Sequence, residues 1–183
     1  GFHLPDRAYG ADAPPVAIDM ASFVGLFLSR RAIAQAGYPD ERLFIYGDDQ
    51  LYTLTLRRAG GRIGFLPRIR FEHDTASIQA DGRLLLNPIW KVYYNYRNAI
   101  LAYRVAAGLW FWPLLPLLLV KWWRRGRDYG EQRAAFGAAL SQAIRDGLAG
   151  RLDRSHDEII TALSGARTTA GEQALRNDTG DGH

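Results

Sequence analysis

The 183-residue chain is long enough for one good core, or for one domain carrying a helical appendage. It contains no cysteine, which excludes disulfides and thiolate zinc sites and permits a reducing compartment. The net charge of +4 is mild, and much of it lies in residues 121–127 (KWWRRGR), a local surface for anionic lipid or phosphate rather than a nucleic-acid footprint.

Residues 1–19 are rich in Pro, Gly, Asp and Ala and read as an irregular loop. The chain opens at Gly1 with no initiator Met and no secretory pattern, so an upstream segment is expected. Residues 20–28 (MASFVGLFL) form a nearly continuous apolar run, which predicts a strand buried on both faces. Ser29 then offers an N-cap to a short helix, RRAIAQA, stopped by Gly37 and Pro39. Together these are half of a βα unit.

Leu43 to Tyr46 is apolar and leads into Gly47-Asp48-Asp49. The next stretch, LYTLTL, alternates like a strand and is rich in β-formers. Yet Tyr52, Leu56 and Ala59 are also spaced as a helix face, with Asp49 able to cap its start and Gly60-Gly61 its end. Periodicity leaves both open. Residues 62–66 and 69–72 suggest short strands around Pro67, and residues 75–88 a polar loop turning at Asp81-Gly82. From Pro88 the pattern is helical. A further helix is expected over residues 131–148, with Phe136, Leu140, Ile144 and Leu148 at four-residue spacing. Ser155 and Glu158 make a capping box for a last short helix, and residues 165–183 are expected to be disordered.

The chemistry-bearing stretch is residues 43–74. Two adjacent carboxylates, Asp48 and Asp49, follow an apolar run and a glycine, and His73 comes 24 residues after Asp49. Such a pair suits proton abstraction or metal chemistry, because neighbouring charge and partial burial tune it. The imidazole is a plausible ligand or switch. The same letters also fit a helix N-cap, a solvated second Asp and a surface His.

Five tryptophans (Trp90, Trp110, Trp112, Trp122, Trp123) fall in one third of the chain, around the apolar segment GLWFWPLLPLLLV. Its thirteen residues, as a helix, would cover only about 20 Å of a hydrocarbon layer roughly 30 Å thick. Extending it back to Ala99 would bury Arg104, and Pro113 and Pro116 are expected to break the helix. An interfacial segment reconciles these features, with aromatics at headgroup depth and Lys/Arg meeting anionic lipid. A hydrophobic hairpin buried on the protein's own helices is the alternative.

Several pieces in order resemble the C-terminal half of a family-2 glycosyltransferase, the inverting GT-A enzymes, and above all its galactofuranosyl- and rhamnosyltransferase-like members. They are Phe23-Val24-Gly25, the segment SRRAIAQAGYPDERLFIYGDD, Leu56-Arg57-Arg58-Ala59-Gly60-Gly61, His73, and Tyr93-Tyr94-Asn95-Tyr96-Arg97-Asn98. The resemblance implies an α/β fold: the C-terminal portion of a GT-A (nucleotide-diphospho-sugar transferase) domain over residues 1–87, then a helical membrane-associating region over 88–164 and a tail over 165–183. It implies Asp49 as general base toward an acceptor hydroxyl, Asp48 as the acceptor-orienting acid, and His73 as ligand of a divalent metal, Mn²⁺ or Mg²⁺. The partners implied are a nucleotide-sugar donor, a glycan or lipid-linked glycan acceptor and an anionic membrane, on whose cytoplasmic face the protein would sit peripherally. The nucleotide-binding half and its Asp-x-Asp motif do not occur in this sequence, and Gln50 and Leu51 stand where many relatives carry a further acid. Tyr46-Gly47-Asp48-Asp49 also resembles the catalytic hairpin of RNA-dependent polymerases, which holds paired metals. A helix after Asp49 favours the transferase and a returning strand the polymerase; a non-catalytic docking module would leave both aspartates as mere caps.

Overall fold

A computed structural model describes residues 6–70, 72 and 85–164. Most of the described chain is helical. A short 3-10 turn, Asp6–Tyr9, precedes β1 (Val16–Ile18), and α1 spans Arg30–Ala36. A second 3-10 turn, Glu41–Leu43, leads to α2 (Asp48–Arg58) and β2 (Ile63–Phe65). The C-terminal part holds α3 (Trp90–Ala107), α4 (Phe111–Arg125), α5 (Arg133–Ala149) and α6, residues 156–164. The sheet is an antiparallel pair, Val16 opposite Phe65 and Ile18 opposite Ile63.

The coarse expectation, helices with some sheet followed by a helical extension, therefore holds. A layered parallel sheet is not seen among the described residues. The predicted strand over residues 20–28 is a correction: that segment is irregular, and Phe27 is 77% exposed. A strand buried on both faces needs neighbours on both sides, and none of the described residues pairs with it. Residues 69 and 70 are likewise outside any strand. The residue 165–183 tail and most of the 75–88 loop lie outside the described residues.

Local signals were decisive elsewhere. Ser29 Oγ accepts the Ala32 N–H at 3.1 Å, and Gly37 closes α1 by donating to the Ile33 carbonyl at 2.8 Å. The Ser155–Glu158 box is reciprocal: the Ser155 N–H donates to Glu158 Oε2 at 2.7 Å, and the Glu158 N–H donates to Ser155 Oγ at 3.2 Å. The ambiguous stretch after Asp49 is helix. Its threonines fit because Thr53 and Thr55 hydroxyls donate to the carbonyls of Asp49 and Leu51, each one turn back.

The core lies around α3. Val92, Tyr93, Tyr96 and Ile100 meet Phe136, Ala139, Leu140 and Ala143 of α5, Phe111 and Trp122 of α4, and Ile159 and Leu163 of α6. Truncating Ile100 or Leu140 to alanine in such packing costs about 2–5 kcal/mol. Asp146, buried on α5, accepts from the Tyr93 hydroxyl and from Gln142 Nε2, both at 2.9 Å, and pairs with Arg154 at 3.5 Å. That one carboxylate joins α3, α5 and the segment leading to α6.

The prolines do not break α4, a second correction. Pro113 occupies the first turn, where an N–H has no intrahelical partner, and Pro116 forgoes a single bond inside the helix. The break falls instead at Gly108, whose φ of 56° ends α3. By length and composition the helical run Trp90–Ala149 could cross a membrane, and only 11% of its most apolar window is buried. Phe111 and Trp122 face the core, whereas Leu109, Trp110 and Leu117 are 89%, 74% and 69% exposed.

Burial, reinforced by the hydrogen bond to Asp146, pushes the Tyr93 phenol from 10.0 to about 12, and burial pushes Tyr96 equally to about 12. Folding thus holds both phenolic protons more tightly than the unfolded chain does. Their contribution is complete below about pH 10 and is lost as pH climbs toward about 12. Urea midpoints should fall across that interval, with a shallower fall in Tyr93→Phe.

Candidate functional site

Asp48 and Asp49 open α2, in the first helical turn where the aligned peptide dipoles favour negative charge. Both are half-buried. Asp49 Oδ1 accepts the Gln50 N–H at 2.7 Å, and the Asp49 carbonyl accepts the buried Thr53 hydroxyl at 2.7 Å. Gly47 precedes them in a left-handed conformation, φ 74°, and a Cβ there would stand 3.1 Å from Asn98 Cβ. Only glycine meets both conditions.

The approach to the pair is unusual backbone. Phe44 has φ 65° and ψ −58°, and the Ile45 N–H donates to the Leu43 carbonyl at 2.8 Å. This is the rare γ-turn of positive φ. Tyr46 is a second non-glycine residue at positive φ, 63°. Such conformations cost about 1–3 kcal/mol each and persist only when the surroundings over-determine them.

Arg97 and Asn98 of α3 do that. Asn98 Nδ2 donates to the carbonyls of Leu43, Ile45 and Tyr46 at 2.9, 3.0 and 2.7 Å. One amide carries two N–H groups, so a proton is shared among these acceptors. Arg97 Nη2 donates to the Arg42 and Leu43 carbonyls at 3.0 and 3.2 Å, and Arg97 Nε donates to Asn98 Oδ1 at 2.9 Å. The guanidinium is wholly buried, 5.3 Å from the Tyr93 ring centre and 5.0 Å from that of Tyr94. Its Nη1 has no hydrogen-bond partner among the described residues. At the start of the turn, a two-pronged hydrogen bond from Arg42 holds the Asp40 carboxyl below its ordinary range. Burial raises the Tyr46 phenol.

The structure therefore holds Asp48 and Asp49 as the first two residues of a helix whose start is pinned. His73 lies outside the described residues. Among the described residues no three His, Cys, Asp or Glu side chains converge as a metal site would require. Arg97 and Asn98 enter the sequence reading only through the resemblance. A cation at helical spacing from the Tyr93-Tyr94 pair, inside an otherwise apolar face, was the available sign of a buried polar anchor. Phe44 gave no sign, because positive φ at a phenylalanine cannot be read from the letters around it.

No family model, curated protein or solved structure matches the chain.

Asn98→Ala removes the side-chain donor from the Ile45 and Tyr46 carbonyls and one of several donors from that of Leu43, and the expected loss is about 2–3 kcal/mol by urea unfolding. Gly47→Ala should be destabilising for the separate reason of its φ and the close Asn98 Cβ. A stability of either variant equal to the parent would mean that the turn is not held in this way.

Proposed function

We propose that the chain is the acceptor-side part of an inverting family-2 glycosyltransferase of the GT-A kind, with Asp49 as its general base. The observation that carries this reading is the rigid presentation of a carboxylate pair at the start of α2, on a turn fixed by side chains from another helix. A base works by position as much as by proton affinity, since it must meet the hydroxyl within hydrogen-bond reach. Asp49 takes the proton from an acceptor hydroxyl as its oxygen bonds to the donor's anomeric carbon from the face opposite the leaving nucleoside diphosphate. Configuration inverts, the C–O bond to the diphosphate breaks, and the electron pair leaves with it. Asp48 accepts a hydrogen bond from the same sugar and sets its orientation. The helix following Asp49 supports this over the polymerase hairpin, which needs a returning strand there.

The donor is a nucleotide sugar, and the acceptor a glycan or lipid-linked glycan. A divalent cation, Mn²⁺ or Mg²⁺ with His73 as a ligand, belongs to the same proposal and would offset charge on the departing diphosphate. The described residues do not by themselves assemble its ligand set.

The same reading places the protein peripherally on the cytoplasmic face of the membrane. The open side of α4 carries Leu114, Leu117 and Val120, Trp110 stands exposed just before it, and the helix ends in Lys121, Arg124 and Arg125. Apolar side chains to enter the headgroup boundary and cations to meet anionic lipid are what an interfacial helix requires.

Two measurements test these readings. In the full-length protein supplied with nucleotide sugars, Asp49→Asn should lower transfer by about 10²–10⁴-fold with an unchanged melting profile. Retained turnover removes Asp49 from the role of base. Separately, Leu114→Glu/Leu117→Glu should release the protein from phosphatidylserine vesicles in a sedimentation assay, and high salt should weaken binding of the parent. Undiminished pelleting of the double variant would exclude this face as the anchor.

A further inference from the structure

Four residues before the carboxylates, Phe44 belongs to a group of rings that the proposed chemistry does not use. Phe44 is 58% exposed, although its backbone sits at φ 65° and ψ −58° at the centre of the γ-turn. Its ring centre lies 5.0 Å from that of Tyr94 and 5.0 Å from that of His156, inclined by 39° and 28°. Tyr94 and His156 are themselves only 5.9 Å apart, with the Tyr94 hydroxyl 3.1 Å from His156 Nδ1. Two rings so close together cannot lie on opposite faces of a third. They meet Phe44 from the same side, and more than half of the residue stays exposed. Trp90, half-buried, extends the surface at 6.2 Å from Phe44 and stands edge-on to His156 at 4.8 Å.

The placement along α3 gives the scale. Trp90, Tyr94 and Asn98 are successive residues of one helix face, four positions apart. Asn98 abuts Gly47 at the carboxylates, Tyr94 seats Phe44, and Trp90 lies beyond. At 1.5 Å per residue the steps are each about 6 Å, close to the length of one sugar unit. A γ-turn that turns a phenyl ring outward, at the expense of strain, is explained by a ligand for that ring. The faces of sugar rings present C–H groups that suit an aromatic surface, and their hydroxyls suit carboxylate acceptors.

We propose that Phe44 and Trp90 form an acceptor subsite that stacks a neutral sugar ring, one unit removed from the sugar whose hydroxyl meets Asp49. The inference rests on the transferase reading and deepens it: the acceptor is a glycan of at least two neutral sugars, held by an aromatic surface distal to the reacting hydroxyl. Phe44 and Trp90 bind and orient; they take no part in proton transfer.

Saturation-transfer NMR on the full chain with methyl glycosides of neutral disaccharides tests it without a donor. Irradiating aromatic protons should saturate the C–H protons of one sugar ring more than those of the other. Phe44→Leu should weaken binding about tenfold, Trp90→Leu should weaken it as well, and Phe44→Tyr should restore it. Melting profiles taken alongside separate lost binding from lost folding, and Phe44→Tyr keeps the comparison valid if the leucine variant unfolds. No disaccharide binding, or binding indifferent to both leucine variants, overturns the subsite. If that happens while Asp49→Asn still abolishes transfer, the transferase stands and the stacking surface falls. If Asp49→Asn leaves transfer intact, the transferase reading itself has failed.

Discussion

Everything around the candidate site depends on one set of hydrogen bonds, from the buried side chains of Arg97 and Asn98 to the backbone carbonyls of residues 42–46. Without side-chain donors the Ile45 and Tyr46 carbonyls would lose the bonds that hold them, and the positive-φ residues Phe44 and Tyr46 would relax to ordinary backbone. The clamp uses groups on a helix that is itself the centre of the core, between α2 on one side and α5 on the other. A rigid scaffold is thereby transmitted to a turn that has little regular structure of its own. This is the usual relation between a supporting core and chemistry carried on a connecting segment.

The buried guanidinium is the costly part of this arrangement. A desolvated cation needs compensation, and here it comes from carbonyl dipoles and from the faces of Tyr93 and Tyr94. Tyr93 is in turn tied to Asp146, which collects Gln142, Arg151 and Arg154. The cation near the turn is thus linked, through a ring contact, a hydrogen bond and ion pairs, to the segment that follows α5. Polar groups inside a core specify one arrangement more sharply than apolar packing does, since a misregistered helix would leave several of them unpaired.

What could be read from the letters was local. The Ser29 cap, the Ser155–Glu158 box and the helices at residues 90 and 133 follow from neighbours within a turn or two, and they are where the spacing puts them. Residues 20–28 failed because burial of a strand is decided by distant partners. Pro113 and Pro116 misled because the effect of a proline depends on its place within the helix, which composition does not give. The run after Asp49 satisfied two periods at once, and the back-bonding of its threonine hydroxyls settled it as helix. In the candidate site, the adjacent acids were visible as a pair. Their support was not, because Asn98 and Gly47 meet only through the packing of α2 on α3.

The seat of Phe44 is built by the last described helix, where His156 closes over the ring from the other end of the chain. That closing residue meets α3 at Trp90 and Tyr94, about one turn or more before the Arg97 and Asn98 side chains that hold the turn. A change at His156 therefore reshapes what lies against the phenyl ring more directly than it reaches Gly47-Asp48-Asp49, whereas Ile159 and Leu163 of the same helix belong to the core around α3. If the acids react and the phenyl ring selects, as proposed, selectivity and reactivity would draw on different stretches of sequence.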